Sequence, residues 1–179
     1  IKNDAQKTVD LLKKMSIDIN IFTGDTEKAA KIVGERLGIT NIYSKLLPQH
    51  KLENLETLLK RQTTGKVMFV GDGVNDAPVL ALSDVGVAMG GAGSDIAVEA
   101  ADMVIMGDSL SKLAIGKKAA KKTIRIVYEN IIFAIAVKLL IIIGCAVGIF
   151  NENAMWLAVF GDVGVCLIAI ANSLRALRV

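Results

Sequence analysis

Gly71-Asp72-Gly73-Val74-Asn75-Asp76-Ala77-Pro78 stands between an apolar run at residues 67–70 and a segment with helical spacing. The apolar run predicts a buried strand, and open α/β sheets bind ligands at the carboxyl ends of such strands. Gly71 and Gly73 carry no Cβ, so the backbone can approach a ligand closely. Two carboxylates beside this turn suit Mg²⁺, which prefers one or two carboxylates together with phosphate oxygens and water. The stretch therefore predicts a phosphate and magnesium site, with an ordinary turn rich in glycine, asparagine and aspartate as the alternative.

The side chains of this stretch are expected to play different roles. We expect Asp72 to bind the metal directly, and Asn75 and Asp76 to support the site from behind the ligands. Pro78 suits the first turn of the following helix, where a missing N–H costs nothing.

Composition divides the 179-residue chain into two parts. Up to Gly116 there are 13 lysines and arginines against 15 carboxylates, whereas from Lys117 onward there are 8 against 3. The second part is therefore basic, and it is also very apolar. The chain opens at Ile1 with charged, mixed sequence, so no cleavable signal peptide is recognised. We expect the chain to be a piece of a longer protein.

Short apolar runs alternate with helical segments through the first 108 residues. Strands are predicted at residues 17–22, 41–43, 67–70, 85–89 and 103–106, and helices at 4–15, 27–37, 48–61, 78–82 and 94–101. This alternation is typical of a parallel sheet with crossover helices. An α/β domain is therefore predicted at residues 1–108.

Two long apolar runs follow this domain. A basic linker helix is predicted at residues 109–125, and it leads into a run at 126–150 that would measure about 37 Å as a helix. That length crosses a hydrocarbon core of about 30 Å. After a turn at residues 151–153, a second span is predicted at 154–174. Basic residues flank both outer ends and the turn has none, so residues 126–179 are predicted to form a transmembrane hairpin with both ends cytoplasmic.

Two further motifs are expected to share the sheet edge with the glycine-rich stretch. Thr23, Gly24 and Asp25 end a strand and precede a helix, and they offer a hydroxyl, a bare N–H and a helix dipole to phosphoryl oxygens. An ordinary helix start is the alternative. Lys51 is expected in the first turn of its helix, where a cation opposes the helix dipole. A phosphate partner would explain that lysine, with a solvated surface lysine as the alternative.

These motifs resemble the phosphorylation domain of P-type ATPases. Two later stretches share the resemblance: Asp84-Val85-Gly86-Val87-Ala88-Met89-Gly90 and Glu99-Ala100-Ala101-Asp102. The resemblance implies a haloacid-dehalogenase-like fold in which Asp72 binds Mg²⁺, Asp76 supports that site and Lys51 contacts the phosphoryl group. It also implies that Thr23, Gly24 and Asp25 hold the phosphate.

The chain also departs from the pattern of that family. The family's aspartyl nucleophile lies in an Asp-Lys-Thr-Gly-Thr string, which this sequence does not contain. The actuator loop and the domain that binds ATP are not recognised either. We therefore expect the other domains of the same pump as partners, and no phosphoenzyme from this chain alone. No nucleic-acid partner is expected.

Within the predicted hairpin, Lys138 and Asp162 are costly residues and should have a partner or a task. Counted from the outer turn, their depths are about 18 and 12 Å, a difference that a lysine side chain can span. We expect a buried pair whose carboxylate can exchange the ammonium group for a divalent cation. A purely structural pair between two helices is the alternative.

Four parts of the predicted hairpin resemble the last two helices of the zinc-, cadmium- and lead-exporting ATPases. They are Asn130, Lys138, Asp162-Val163-Gly164 and Ala171-Asn172-Ser173-Leu174-Arg175. The resemblance implies that Asp162 binds the transported metal and that Lys138 is a built-in counter-ion. Cys145 and Cys166 share helix faces with these two residues and suit the same metals, although a buried cysteine is usually a small hydrophobic residue. The order of preference among Zn²⁺, Cd²⁺ and Pb²⁺ is left open.

The leading hypothesis is part of an ATP-driven exporter of Zn²⁺, Cd²⁺ or Pb²⁺ in the cell membrane, with Mg²⁺ and ATP as cofactors and the lipid bilayer as a partner. One alternative is a membrane-anchored haloacid-dehalogenase-type phosphatase, which would have no need of Asp162. A non-catalytic fragment or subunit of a pump is another.

Overall fold

The computed structural model describes residues 1–71, 74–90, 95–107, 109–150 and 154–177. The chain forms two compact units, Ile1–Ala114 and Ile115–Val179. The basic segment that was predicted as a linker helix is continuous with the first apolar run, because one helix extends over Ser111–Ala146.

Helices and strands alternate through the first unit, as predicted. In chain order they are α1 (Ala5–Lys14), β1 (Asn20–Phe22), α2 (Glu27–Leu37), β2 (Asn41–Tyr43), α3 (Pro48–Arg61), β3 (Met68–Gly71), α4 (Ala77–Leu82), β4 (Val85–Met89), α5 (Asp95–Ala100) and β5 (Met103–Ile105). All paired strands are parallel, so the predicted parallel α/β architecture with crossover helices is confirmed.

The strands form two hydrogen-bonded ladders, β1–β2 and β3–β4–β5. The two ladders meet through side chains: the ring of Phe22 in β1 lies 6.3 Å from that of Phe69 in β3, edge to face. Phe22 also packs at 4.9 Å against Tyr43 in β2. Apolar runs in the sequence predict strands but not which strand edges pair, so this division was not predicted.

Several element ends differ from the sequence predictions. β1 has three residues rather than six, and Ser16, just before the predicted start, adopts φ 56°. β3 extends to Gly71, and a 3₁₀ turn at Val74–Asp76 precedes α4. Gly38 ends α2 in the left-handed conformation that favours glycine. The predicted start of a helix at Ser94 lies outside the described residues.

β4 is the central strand of the larger ladder, and both of its faces are buried. Val87 and Met89 pack with Ile105 and Leu113 on one side, whereas Ala88 packs with Leu80 on the other. A parallel strand covered on both faces reads as a continuous apolar run, as this one does. β3 therefore lies beside a firmly packed strand, and its carboxyl end is held in place.

The second unit contains most of α6 (Ser111–Ala146) and a second, interrupted helix. The interrupted helix consists of α7 (Ala154–Val159), a π-helical turn at Phe160–Gly164, α8 (Val165–Ser173) and a 3₁₀ turn at Leu174–Leu177. Among the described residues, Ser111–Ala146 and Met155–Leu177 are long and apolar enough to cross a membrane. The first helix ends four residues earlier than the predicted span, and the predicted outer turn at residues 151–153 lies outside the described residues.

Candidate functional site

Lys51 lies in the first turn of α3 and pairs with Asp76. Its Nζ is 2.7 Å from Asp76 Oδ1, and the two side chains are only 18% and 13% exposed. The sequence suggested a phosphate partner for Lys51, whereas its partner within this chain is a carboxylate 25 residues further on; the phosphate contact stays a prediction. The pair fixes the orientation of Asp76 next to the end of β3.

Gly71 brings the end of β3 against Asp76. A Cβ at position 71 would lie 2.9 Å from Asp76 Cβ and 3.0 Å from its Oδ2. Glycine is therefore required here for close approach to a neighbouring side chain, whereas the sequence had suggested approach to a ligand. Asp76 is buried at the end of the 3₁₀ turn, and the Asn75 side chain is exposed.

Thr23, Gly24 and Asp25 form a locally hydrogen-bonded turn after β1. The Thr23 hydroxyl donates to Asp25 Oδ2 at 3.0 Å and accepts from the Asp25 amide at 3.1 Å. The segment after β2 closes over this turn, because the Leu46 amide donates to the Thr23 carbonyl oxygen at 3.0 Å. This turn and the Lys51–Asp76 site follow strands whose Phe22 and Phe69 rings contact each other.

Asp72 and Gly73 lie outside the described residues, so direct binding of Mg²⁺ by Asp72 remains a prediction. Within the described ranges, no three His, Cys, Asp or Glu side chains cluster as metal ligands. Asp76 nevertheless fits a supporting role at a magnesium site: Lys51 binds its Oδ1, while its Oδ2 faces the end of β3. Mg²⁺ takes few protein ligands and completes its shell with phosphate and water.

A second charged pair lies within the hairpin. Lys138 Nζ on α6 is 2.8 Å from Asp162 Oδ1, so the expected contact between the two helices is present. Within these two helices the side chains are 56% and 72% exposed, so the expected burial of the pair stays a prediction. Two helices alone leave the outer faces of both partners uncovered.

The π-helical turn around Asp162 was not predicted. It spans Phe160–Gly164, where the helix was expected to continue regularly. Such turns frequently occur at functional sites. Gly161 and Gly164, which flank Asp162, were the available sequence signal, because glycine inside an apolar helix usually has a packing or functional reason.

A cluster of amide side chains also joins the two helices. Asn130 Nδ2 on α6 donates to the Ala169 carbonyl oxygen at 3.2 Å and to Ser173 Oγ at 3.0 Å, and Asn172 donates to Asn130 Oδ1 at 2.8 Å. The sequence resemblance included these residues but did not predict their contacts. Cys145 is half-buried and Cys166 is exposed, and both are free thiols.

Comparison with known proteins covers the whole chain. Residues 1–84 match a family model described as haloacid dehalogenase-like hydrolase. A cadmium, zinc and cobalt-transporting ATPase of Bacillus subtilis is 49% identical over 99% of this chain. A zinc-transporting ATPase of Synechocystis is 45% identical over 98%. The chain spans about a quarter of the length of these curated relatives.

Both units also match a solved structure. The crystal structure of a zinc-transporting PIB-type ATPase in its E2.Pi state superposes with a TM-score of 0.84 at 28% identity, covering 99% of this chain and 28% of that one. A match across both units supports the predicted union of a haloacid-dehalogenase-like domain with a transmembrane hairpin, and gives no support to a phosphatase. The relatives of this chain are therefore P-type ATPases, in the branch whose named members include zinc- and cadmium-transporting pumps.

Proposed function

We propose that this chain is part of an ATP-driven exporter of divalent heavy-metal cations, Zn²⁺ or Cd²⁺ and by extension Pb²⁺, that works through an aspartyl-phosphate intermediate. The Lys138–Asp162 pair is the observation that carries the proposal. A charged pair in a membrane hairpin costs free energy to insert, and by default such a pair marks an ion pathway. The relatives that are named for zinc and cadmium support the same choice of cargo.

The first unit would supply the phosphoryl-transfer site. Lys51, held beside Asp76, brings a positive charge to the end of β3, where negative charge develops on a transferring phosphoryl group. Thr23, Gly24 and Asp25 would hold the phosphate at the end of β1. Asp72 and Asp76 would hold Mg²⁺, which when bound neutralises phosphoryl charge. The nucleophilic aspartate and the nucleotide site would come from other domains of the pump.

The second unit would supply the transport site. Asp162 exchanges the Lys138 ammonium for a divalent cation, and the ammonium returns to the carboxylate when the cation leaves. The pair can act as such a switch because an incoming cation would take the place of the ammonium group, whose Nζ lies 2.8 Å from Asp162 Oδ1. The carboxylate is then never left without a cationic partner in the membrane, which would be costly.

The same arrangement defines the proposed surroundings. The two apolar helices would lie in the lipid bilayer of the cell membrane, and the first unit would lie in the cytoplasm. Remaining domains of the same pump would contact the exposed hairpin faces, where large apolar side chains such as Leu140 and Ile142 are more than 60% exposed.

Replacing Asp162 tests the proposal. In the complete pump that carries this chain, Asp162→Asn should abolish the stimulation of ATP hydrolysis by Zn²⁺ or Cd²⁺, because the carboxylate that binds the cation is lost. Glu129→Gln is the matched control: this acidic residue of the same hairpin pairs with Arg175, and its loss should leave metal stimulation intact. Stimulation that survives Asp162→Asn would remove the transport-site assignment and would return the phosphatase alternative to consideration.

A further inference from the structure

We propose that Gly161 is a positioning residue that sets the contact between Lys138 and Asp162, and thereby how strongly the ammonium competes with the transported cation. The proposal rests on the transport site proposed above. It extends that site to a residue with no charge and no ligand atom in its side chain.

Gly161 is a point of close approach between the π-helical turn and α6. It is buried, whereas the neighbouring Phe160 and Val163 are 65% and 57% exposed. A Cβ at position 161 would overlap Cδ1 of Ile141, and the next atom of that side chain, Cγ1, lies at 3.9 Å. Glycine therefore allows the two helices to approach at this position, as small residues do between membrane helices.

This contact lies next to the charged pair on both helices. Gly161 directly precedes Asp162, and Ile141 follows Lys138 by three residues, which places both on one face of α6. The 2.8 Å distance between Lys138 Nζ and Asp162 Oδ1 spans the same interface. A larger residue at position 161 would have to displace Ile141 or separate the helices, and separation would lengthen the ion pair.

Weakening the ion pair has a signature that general damage lacks. When the ammonium competes less well, the carboxylate holds the cation more tightly and releases it more slowly. Gly161→Val should therefore lower the KM for Zn²⁺ about threefold to tenfold, the effect of one polar contact between membrane helices, and should lower kcat as well. A merely destabilised pump would lose kcat without a lower KM.

A double variant that adds side-chain volume on one helix and removes it from the other is the matched control. In Gly161→Val/Ile141→Ala the volume added at one position is removed at its neighbour, so KM and kcat should return towards the wild-type values. Ile141→Ala alone should stay near wild type. In a Lys138→Gln background, Gly161→Val should change KM no further, because the contact that it weakens is already absent.

The outcomes separate this proposal from the transport site itself. An unchanged KM in Gly161→Val, or no recovery in the double variant, overturns the role of Gly161. The transport site still stands in that case if Asp162→Asn abolishes stimulation by the metal. Stimulation retained in Asp162→Asn overturns both. If Gly161→Val lowers the amount of pump in the membrane, Gly161→Ala with Ile141→Val as its compensating partner gives the same test, since Ile141→Val removes only the overlapping Cδ1.

Discussion

Asp84 joins the segments that lead into two neighbouring strands. Its Oδ1 accepts from Lys66 Nζ at 2.7 Å and its Oδ2 accepts from the Val67 amide at 2.9 Å. The Lys66 ammonium, followed by the Val67 amide, holds the pKa of the Asp84 carboxyl below its ordinary value. A carboxylate with a lowered pKa stabilises the folded state at neutral pH, and the contribution is lost when acid protonates it.

Asp84→Asn should therefore destabilise the protein at neutral pH and have little effect in acid. The contribution of Asp84 is full above the ordinary aspartate pKa of about 4, and it disappears as the pH falls through the lower pKa of the folded state. Urea unfolding midpoints at about pH 7 and about pH 3 would measure this. Asp10→Asn, at an exposed position of α1, is the matched control and should change the midpoint at about pH 7 less than Asp84→Asn does. An equal loss of stability at both pH values would contradict the role of the charge.

Gly86 determines how closely α4 packs against β4. A Cβ at this position would lie 2.5 Å from the Leu80 carbonyl oxygen and 3.0 Å from its carbonyl carbon. Both are backbone atoms, so no side-chain rotation can relieve the overlap. The Gly86 amide also donates a hydrogen bond to Asp102 Oδ2 at 2.8 Å. This bond ties β4 to the residue that directly precedes β5.

Gly86→Ala should lower the free energy of unfolding by about 1–3 kcal/mol, the usual cost of overpacking a core. The helix must move away from the central strand, so the end of β3 beside Asp76 should also be disturbed. Urea unfolding compared with the wild type would measure the first effect, and phosphorylation of the complete pump would measure the second. An unchanged unfolding midpoint would mean that α4 and β4 do not pack this closely.

α6 belongs to both units. Leu113 near its start lies in the core of the first unit, and Lys138 in its second half pairs with Asp162. The segment between these residues carries Lys117, Lys118, Lys121, Lys122 and Arg125. Positive residues next to a membrane span favour the cytoplasmic side, which predicts the orientation of the hairpin.

Single cysteines should report that orientation after Cys145 and Cys166 are both replaced by serine. Thr123→Cys and Leu177→Cys lie just outside the predicted apolar runs, at their cytoplasmic ends, so a membrane-impermeant thiol reagent should label neither in intact cells, and both after the membrane is made permeable. Glu152→Cys, in the predicted outer turn, should be labelled in intact cells. Labelling of all three positions from outside would contradict the two-pass hairpin.

The sequence by itself determined the alternation of strands and helices, the two membrane spans and the residue types of both sites. These features depend on local periodicity, on glycine and proline positions and on the spacing of charges, all of which are read within a few residues. Even there, the interruption of the second span at Phe160–Gly164 was not predicted, because apolar periodicity does not distinguish a π-helical turn from an α-helix.

Apart from the Lys138–Asp162 contact, which the sequence predicted, only the tertiary structure decided which of these residues meet. Lys51 and Asp76 are 25 residues apart and form a pair because α3 packs beside the end of β3, which spacing alone does not predict. The division into two ladders and the contact of Gly161 with Ile141 likewise depend on packing between distant segments. The physical reason is that partner choice follows from the shape and free energy of the whole packed arrangement, whereas the sequence displays only the preferences of each segment.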